Sequence, residues 1–362
     1  MRHLVTIREI QGLNDIKDAD NIEVATLKNL GWQVVVKKNT FKPNDKVVYF
    51  EIDSAIPTTD TRFEFLRKTS YRCWKNNNTI LKDCFKIKTI KMRGIFSQGL
   101  IMPLSDFPEI TTNIEGTDVT ELLHVEHFDT LNEMFDISVK SGNIKGAFPS
   151  FIRKTDQERI QQHPDYFEKY KDVMFTAETK FDGSSCTVYF VDKKYSESQF
   201  GVCSHNNELK NDNFSIFWKT INSLNIEENL KNYFNKTNRS LAIQGELVGP
   251  KVNGNRDNYS EFHFAVFDIF DVDKQTYLDE NERHSIINEI NNSGNGKLEQ
   301  VHTLKTNWYV FKELDTLDKM LNYVNQKTKR GNKLEGVVFK SINHTPYFSF
   351  KCINNNYLLN DK

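Results

Sequence analysis

The sequence predicts an α+β protein in two parts: an all-β barrel-like domain, then a domain of mixed sheets and helices. Three observations carry that expectation. The chain has 362 residues, enough for two domains. Residues 1–122 hold short β-branched runs broken by Asp, Asn, Gly and Pro, without a strand–helix–strand rhythm. From residue 150 onward, strand-like and helix-like patterns alternate.

In the first part, LVTIREI, NIEVATL, WQVVVKK, KVVYFEI and GLIMPL read as strands. Five strands in so short a span fit a small barrel or a sandwich, with an OB-type barrel among the options. Residues 123–150 change character and gather Gly, Ser and Pro in SGNIKGAFPSF, which predicts a linker, with its centre in 135–150. The second domain then spans 151–362. RKTDQERIQQHPDYFEKY predicts a short helix with charge on one side. MFTAETK and CTVYFV predict strands on either side of a tight Asp182-Gly183 turn. FSIFWKTINSLNIEENLKNYFNK predicts one long amphipathic helix, with Ile216, Phe217, Ile221, Leu224, Leu230 and Phe234 on or near one face. LAIQGELVG, FHFAVFDIF and EGVVFKS predict further strands, and LDTLDKMLNYVNQKT another helix.

Composition excludes several classes. Aromatic residues make up 12% of the chain, which rules out wholesale disorder. No apolar run of about 18 residues exists, so no membrane-spanning helix is expected. MRHLVTIREIQG lacks the apolar core of a signal peptide. The five cysteines form no CxxC pair and no zinc-like spacing, which suits reduced thiols in an intracellular compartment. The cytoplasm is the first expectation, with nucleus and organelle as alternatives. No feature demands more than a monomer.

The 48 basic and 49 acidic residues leave a formal charge of −1, which argues against a generally polybasic protein. Local distribution differs. Arg67 to Arg93 carries nine basic residues and one acid, Asp83, a net of +8 within 27 residues. Tyr71, Trp74 and Phe85 lie among them. Lysine and arginine neutralise phosphates, and exposed aromatic faces stack on unpaired bases. Arg72, Lys75, Lys82, Lys86 and Lys88 are therefore the candidate nucleic-acid-binding residues. The competing reading is a solvated charged run whose aromatics are core.

The sharpest chemical signal is Glu178-Thr179-Lys180-Phe181-Asp182-Gly183-Ser184-Ser185. A lysine at a strand end suits a nucleophilic amine, provided that burial or a nearby cation lowers its pKa from about 10. The competing reading is a surface hairpin, because Asp-Gly is a common hairpin turn. K-x-D-G is too short to be specific alone. It is followed, in order, by Ser204-His205-Asn206, QGELVGP around Glu246, FAVFDI around Phe267, EGVVFK from Glu335 to Lys340, and Ser349-Phe350-Lys351.

This ordered series resembles motifs I, Ia, III, IIIa, IV and V of the covalent nucleotidyltransferases, a superfamily that includes ATP-dependent ligases and mRNA capping enzymes. Within it the chain most resembles the ATP-dependent RNA ligases with an N-terminal OB domain, of the Deinococcus and Naegleria type. GWQVVVKK, FEIDSAIP and IKMRGIFSQGLIMPL extend the resemblance into the first domain. It implies an OB-like barrel followed by an adenylation domain of antiparallel sheets and helices. It also implies ATP and Mg²⁺ or Mn²⁺ as cofactors. Lys180 would attack the α-phosphate of ATP to form lysyl–AMP. Asp182, Glu246 and Glu335 would surround the cation through its waters, as hard oxygen donors do. Phe267 would stack on adenine, with Phe264 the rival, and Glu178 would read the adenine edge or else lie on the surface. Lys340 and Lys351 would hold the α-phosphate and later the RNA 5′ end. Arg159 would contact the departing pyrophosphate; otherwise it is an ordinary helix-surface arginine.

Two departures stand out. Motif Ia of the family carries Arg or Lys where this chain has His205, which supplies neither a permanent charge nor a bidentate fork. Lys351 is followed by Cys352-Ile353, where many relatives carry a second lysine. No C-terminal OB domain with motif VI follows, which disfavours a DNA ligase or a guanylyltransferase. The resemblance implies an RNA-repair type ligase that joins a 3′-OH to a 5′-phosphate, with a nick in duplex RNA as the first expectation. The alternative in another class is an inactive RNA-binding protein.

Overall fold

The structure, a computed structural model, describes residues 3–76, 79–135, 144–212, 215–292, 298–325, 335–342, 344 and 346–359. In the first half the strands are β1 (Val5–Asp15), β2 (Ile22–Leu27), β3 (Gln33–Lys37), β4 (Lys46–Phe50), β5 (Ser54–Ile56), β6 (Tyr71–Asn76), β7 (Thr79–Lys86), β8 (Thr89–Met92), β9 (Ile95–Gln98), β10 (Leu100–Pro103) and β11 (Glu126–His127). A five-stranded sheet runs β10-β4-β1-β2-β3. Its long strand β1 pairs with β4 through Glu9 and with β2 from Ile10, with a bulge between Ile10 and Gly12. Such a bulge bends a strand and lets one strand serve two parts of a curled sheet. Gln33 and Val35 of β3 reach Phe96 and Ser97 of β9, which draws the far edge of the sheet inward. Val5, Ile7, Trp32, Val34, Tyr49, Phe50 and Phe85 fill the core.

The predicted strands of this half all form. The basic segment is also largely strand: β6 and β7 make a hairpin within the sheet β11-β5-β7-β6, and β8 pairs with β9. It is not a solvated loop.

The second half contains β12 (Ile144–Ala147), β13 (Glu158–Arg159), β14 (Met174–Lys180), β15 (Ser184–Phe190), β16 (Phe200–Cys203), β17 (Asn207–Leu209), β18 (Leu241–Val248), β19 (His263–Asp271), β20 (Thr276–Tyr277), β21 (Glu299–Gln300), β22 (Thr303–Trp308), β23 (Gly336–Ile342) and β24 (Ser349–Ile353). They form two sheets. The larger runs β12-β17-β16-β15-β18-β19-β20, with β21 beside β19; the smaller runs β13-β24-β23-β14-β22. Helices Ile216–Ser223, Ile226–Thr237 and Glu280–Asn292 pack on the larger sheet through Phe217, Ile221, Leu230, Ile286 and Ile290. Helix Leu317–Val324 covers the smaller sheet through Met320 and Val324.

Three expectations change. The long amphipathic helix is two helices, because Asn225 adopts a left-handed φ of 50° between them. The segment from 153 to 170 is not one helix. Glu158–Arg159 pair as β13, a 3₁₀ turn covers Ile160–Gln162, and after Pro164 only Tyr166–Lys169 is helical. Of the segment 123–150, β11 belongs to a first-half sheet and β12 is the edge strand of the larger second-half sheet; residues 136–143 lie outside the described residues. Among the described residues no helix is long and apolar enough to cross a membrane.

Candidate active site

Lys180 ends β14, and its motif does not form a hairpin. β14 pairs with β22 and β23, whereas β15 pairs with β16 and β18. Asp182-Gly183 is therefore the crossing from the smaller sheet to the larger one, and the hairpin alternative falls. The glycine is required by proximity: a Cβ at Gly183 would lie 2.3 Å from the Leu247 carbonyl oxygen and 2.8 Å from Glu246 Cγ. The Gly183 N–H donates to Glu246 Oε1 at 3.1 Å, which ties the crossing loop to β18.

Strand register brings the partners together. Lys180 lies opposite Gly336, so Glu335 stands beside it, and Ser185 lies opposite Glu246. Lys180 Nζ is 2.9 Å from the Glu335 carboxylate, with side chains only 23% and 15% exposed. Burial alone would lower the Lys180 pKa, but Glu335, Glu246 and Asp182 outweigh it and hold the amine above its ordinary value. Burial pushes the Glu246 carboxyl up to about 7; Lys180 opposes that shift, and Glu335 and Asp182 reinforce it. Burial raises Glu335 too, against the pull of Lys180. Asp182 Oδ2 accepts from the Tyr357 hydroxyl at 3.0 Å and lies 3.4 Å from Arg256 Nε.

Among the described residues, no three His, Cys, Asp or Glu side chains converge tightly enough to ligate an ion together. The three acids nonetheless fit a hard divalent cation held through its waters. They are oxygen donors from separate strands and loops; burial, and then the charges of Glu335 and Asp182, raise Glu246 against the pull of Lys180, a setting that a cation would relieve.

A second cluster lies among the motif strands, around Glu178, Lys340 and Arg283. Glu178 is 1% exposed, so it is not a surface residue. It pairs with Arg283 and, through Oε2, with Lys340 Nζ at 2.7 Å. Lys340 also meets Asp268 Oδ1 at 2.9 Å and the Phe267 carbonyl at 2.5 Å, and Arg283 donates to the same carbonyl. Burial would raise Glu178, but Lys340 and Arg283 hold it below its ordinary range. Lys340 thus stands in this buried network rather than against Lys180. Of the two candidate aromatics, Phe264 is buried in the core against Gly245, whereas Phe267 is half-buried, with the Lys340 ammonium 6.0 Å from its ring centroid.

Lys351, on β24, is half-buried and lies across from Arg159 in the parallel β13–β24 pair. Its charge pulls the Glu335 carboxyl down, so it belongs to the Lys180 side of the site. Arg159 is 7% exposed and is not a helix-surface residue. Its Nη2 binds Asp53 Oδ2 of the first half at 2.8 Å, while Nε and Nη1 are buried without a hydrogen-bond partner. His205 sits in the loop between β16 and β17, 3.4 Å from Asp156.

The basic hairpin divides. Lys86 is 6% exposed, with its ammonium 4.3 Å from the Phe128 ring centroid, so it is not a surface contact. Lys82 pairs with Glu126 at 2.5 Å. Phe85 is buried, Trp74 packs on Phe128 at 5.4 Å, and the Tyr71 hydroxyl donates to Asp83. The aromatics of this stretch therefore serve packing. Arg72 and Lys88 are half-buried, and Lys75 is exposed.

Arg283, Tyr357 and Arg256 join the site without having been expected from the sequence. Arg283 had a signal: it stands three and four residues before Ile286 and Ile287, on the buried face of its helix. Tyr357 sits in a polar four-residue helical turn and Arg256 in a polar loop, and neither stretch carries one.

Two family models match the chain: an OB-fold domain over residues 4–104 and RNA ligase over residues 174–353. The second runs from the start of β14 to the end of β24. Among solved structures, Naegleria gruberi RNA ligase with PPi is 34% identical, with a TM-score of 0.80 over 99% of this chain and 98% of that one. A variant of that ligase with ATP and Mn is 35% identical, with a TM-score of 0.80 over 99% and 98%. Another, with AMP and Mn, is 34% identical, with a TM-score of 0.81 over 100% of both chains. No curated protein matches the chain.

Proposed function

The chain belongs to the RNA ligase family, and from that premise we propose that it seals 3′-OH and 5′-phosphate RNA ends with ATP through a lysyl–AMP intermediate. The observation that carries this reading is the Lys180 amine held at 2.9 Å from Glu335 where two sheets meet. In the first step the neutral Lys180 amine attacks the α-phosphorus of ATP. An N–P bond forms, the bond to the bridging oxygen breaks, and pyrophosphate leaves. In the second, an oxygen of the RNA 5′-phosphate displaces Lys180 from AMP. In the third, the RNA 3′-OH attacks that 5′-phosphate and AMP departs.

Each residue has a part that its placement supports. Glu335 orients the Lys180 amine by accepting its hydrogen bond. Phe267 offers a ring to adenine, while Glu178, Arg283 and Lys340 fix the backbone beside it. Lys351 and the two unengaged nitrogens of Arg159 supply positive charge for phosphates, whose transfer rests on positioning and charge neutralisation. His205 faces the ribose or the 5′ end. Asp182, Glu246 and Glu335 would hold Mg²⁺ or Mn²⁺, which supplies Lewis acidity toward the α-phosphate and offsets the acids that keep Lys180 protonated.

The protein acts as a monomer in a reducing compartment, consistent with five free cysteines. Its first domain grips duplex RNA at a nick through Arg72, Lys75 and Lys88, with Lys82 available once it leaves Glu126. Sealing of a nicked RNA duplex with a ribose 3′ end tests this. Efficient sealing is expected with ribose; equal sealing with deoxyribose ends would favour a DNA ligase.

A further inference from the structure

The last described turn of the chain touches both halves at once. Residues Asn355–Leu358 form a single helical turn directly after β24. The Asn354 N–H donates to the Glu335 carbonyl at 2.8 Å, next to the Lys180 pair. Asn355 Oδ1 accepts from Gln98 Nε2 of β9 at 3.1 Å. Tyr357, 5% exposed, donates its hydroxyl to Asp182 Oδ2 at 3.0 Å. Leu358 packs against the hydrophobic core of the first half. Arg256 completes the clamp, with its guanidinium 4.9 Å over the Tyr357 ring and its Nε 3.4 Å from the same Asp182 oxygen.

We propose that Tyr357 is a positioning residue for lysine adenylylation, and that the turn carrying it links the first domain to the Asp182 carboxylate. The proposal rests on the function assigned above. Asp182 lies in the loop where the chain crosses between sheets, so strand pairing does not fix its side chain. The Tyr357 hydroxyl does, from a turn pinned on one side by Gln98 and the first-domain core. Partners that orient a carboxylate serving a metal ion typically change affinity or activity 10- to 100-fold when removed. A displacement of the first domain on RNA would move Asn355 and Leu358, and with them Tyr357, along a continuous chain of contacts.

Tyr357→Phe keeps the ring and its stack with Arg256 and removes only the hydroxyl. In a Lys180→Ala background, which lacks the reacting amine, it is expected to weaken ATP binding about tenfold with Mn²⁺ present. Binding without Mn²⁺ is expected to stay the same. Equal losses with and without Mn²⁺, or no loss, overturn the positioning role. With Lys180 intact, Gln98→Ala is expected to slow Lys180 labelling by ATP in the wild type and to add nothing in Tyr357→Phe. Independent, multiplying effects, or no effect of Gln98→Ala, overturn the link. If the wild type takes no label from ATP, the assigned function fails. If it labels normally and Tyr357→Phe matches it throughout, only this inference fails.

Discussion

Lys180 and Glu335 form an ion pair at 2.9 Å between residues 155 positions apart in the chain, set by the β14–β23 register that places Lys180 opposite Gly336. The pair favours Lys180 as an ammonium ion. Together with Glu246 and Asp182, it outweighs the effect of burial on the amine; under the proposed function, a bound divalent cation would offset these acids and release the neutral amine for attack.

Glu246 carries a stability cost that is readable by pH. Its carboxyl is raised from 4.5 to about 7, so the folded state favours the protonated form. That contribution is full below about 4.5 and is lost as pH rises through about 7. Glu246→Gln, a permanent mimic of the protonated acid, should be more stable than wild type at pH 8 by about 1–3 kcal/mol. The difference should vanish near pH 4, and the variant should lose adenylylation. Denaturant unfolding at the two pH values checks this; an equal gap at both contradicts it.

Arg283 should matter for both stability and nucleotide binding. It pairs with Glu178 at a site where both side chains are 2% exposed. Removing one partner of a buried pair costs about 3–5 kcal/mol. Arg283→Met should approach that loss in urea unfolding and raise the KM for ATP, since the Phe267 carbonyl also loses a donor.

Arg159 should act on pyrophosphate rather than on the fold alone. Two of its nitrogens are buried without hydrogen-bond partners, and its strand pairs it with Lys351. Arg159→Met should weaken inhibition by pyrophosphate about tenfold or more, as loss of a charge-assisted hydrogen bond does. Asp53→Asn, which alters only the far side of the guanidinium, should change it much less.

The basic hairpin should split into two classes of variant. Lys75→Ala with Lys88→Ala should weaken nick sealing, flatten its salt dependence and leave Lys180 labelling intact. Lys86→Ala, which removes a buried side chain from beneath Phe128, should instead lower the melting temperature and affect labelling and sealing alike.

Where local pattern decides structure, the sequence was readable. Val5–Asp15, Ile22–Leu27 and Gln33–Lys37 announce themselves by β-branched runs, and the motif residues Lys180, Glu246 and Glu335 do converge. What was hidden depends on partners distant in the chain. Asp182-Gly183 has the composition of a hairpin, and only the pairing of β14 with β23 and of β15 with β18 makes it a crossing. Lys86 looks like any lysine in a basic run until Phe128 covers it. Arg159 resembles a helix-surface residue until β24 and Asp53 enclose it.

The most direct test of Lys180 as the adenylylated residue is to incubate the protein with α-labelled ATP and Mn²⁺ and to map the modified residue by mass spectrometry. One AMP is expected, on Lys180, with no label in Lys180→Ala and none from GTP. AMP on another residue, label retained by Lys180→Ala, or no label on the wild type would contradict it.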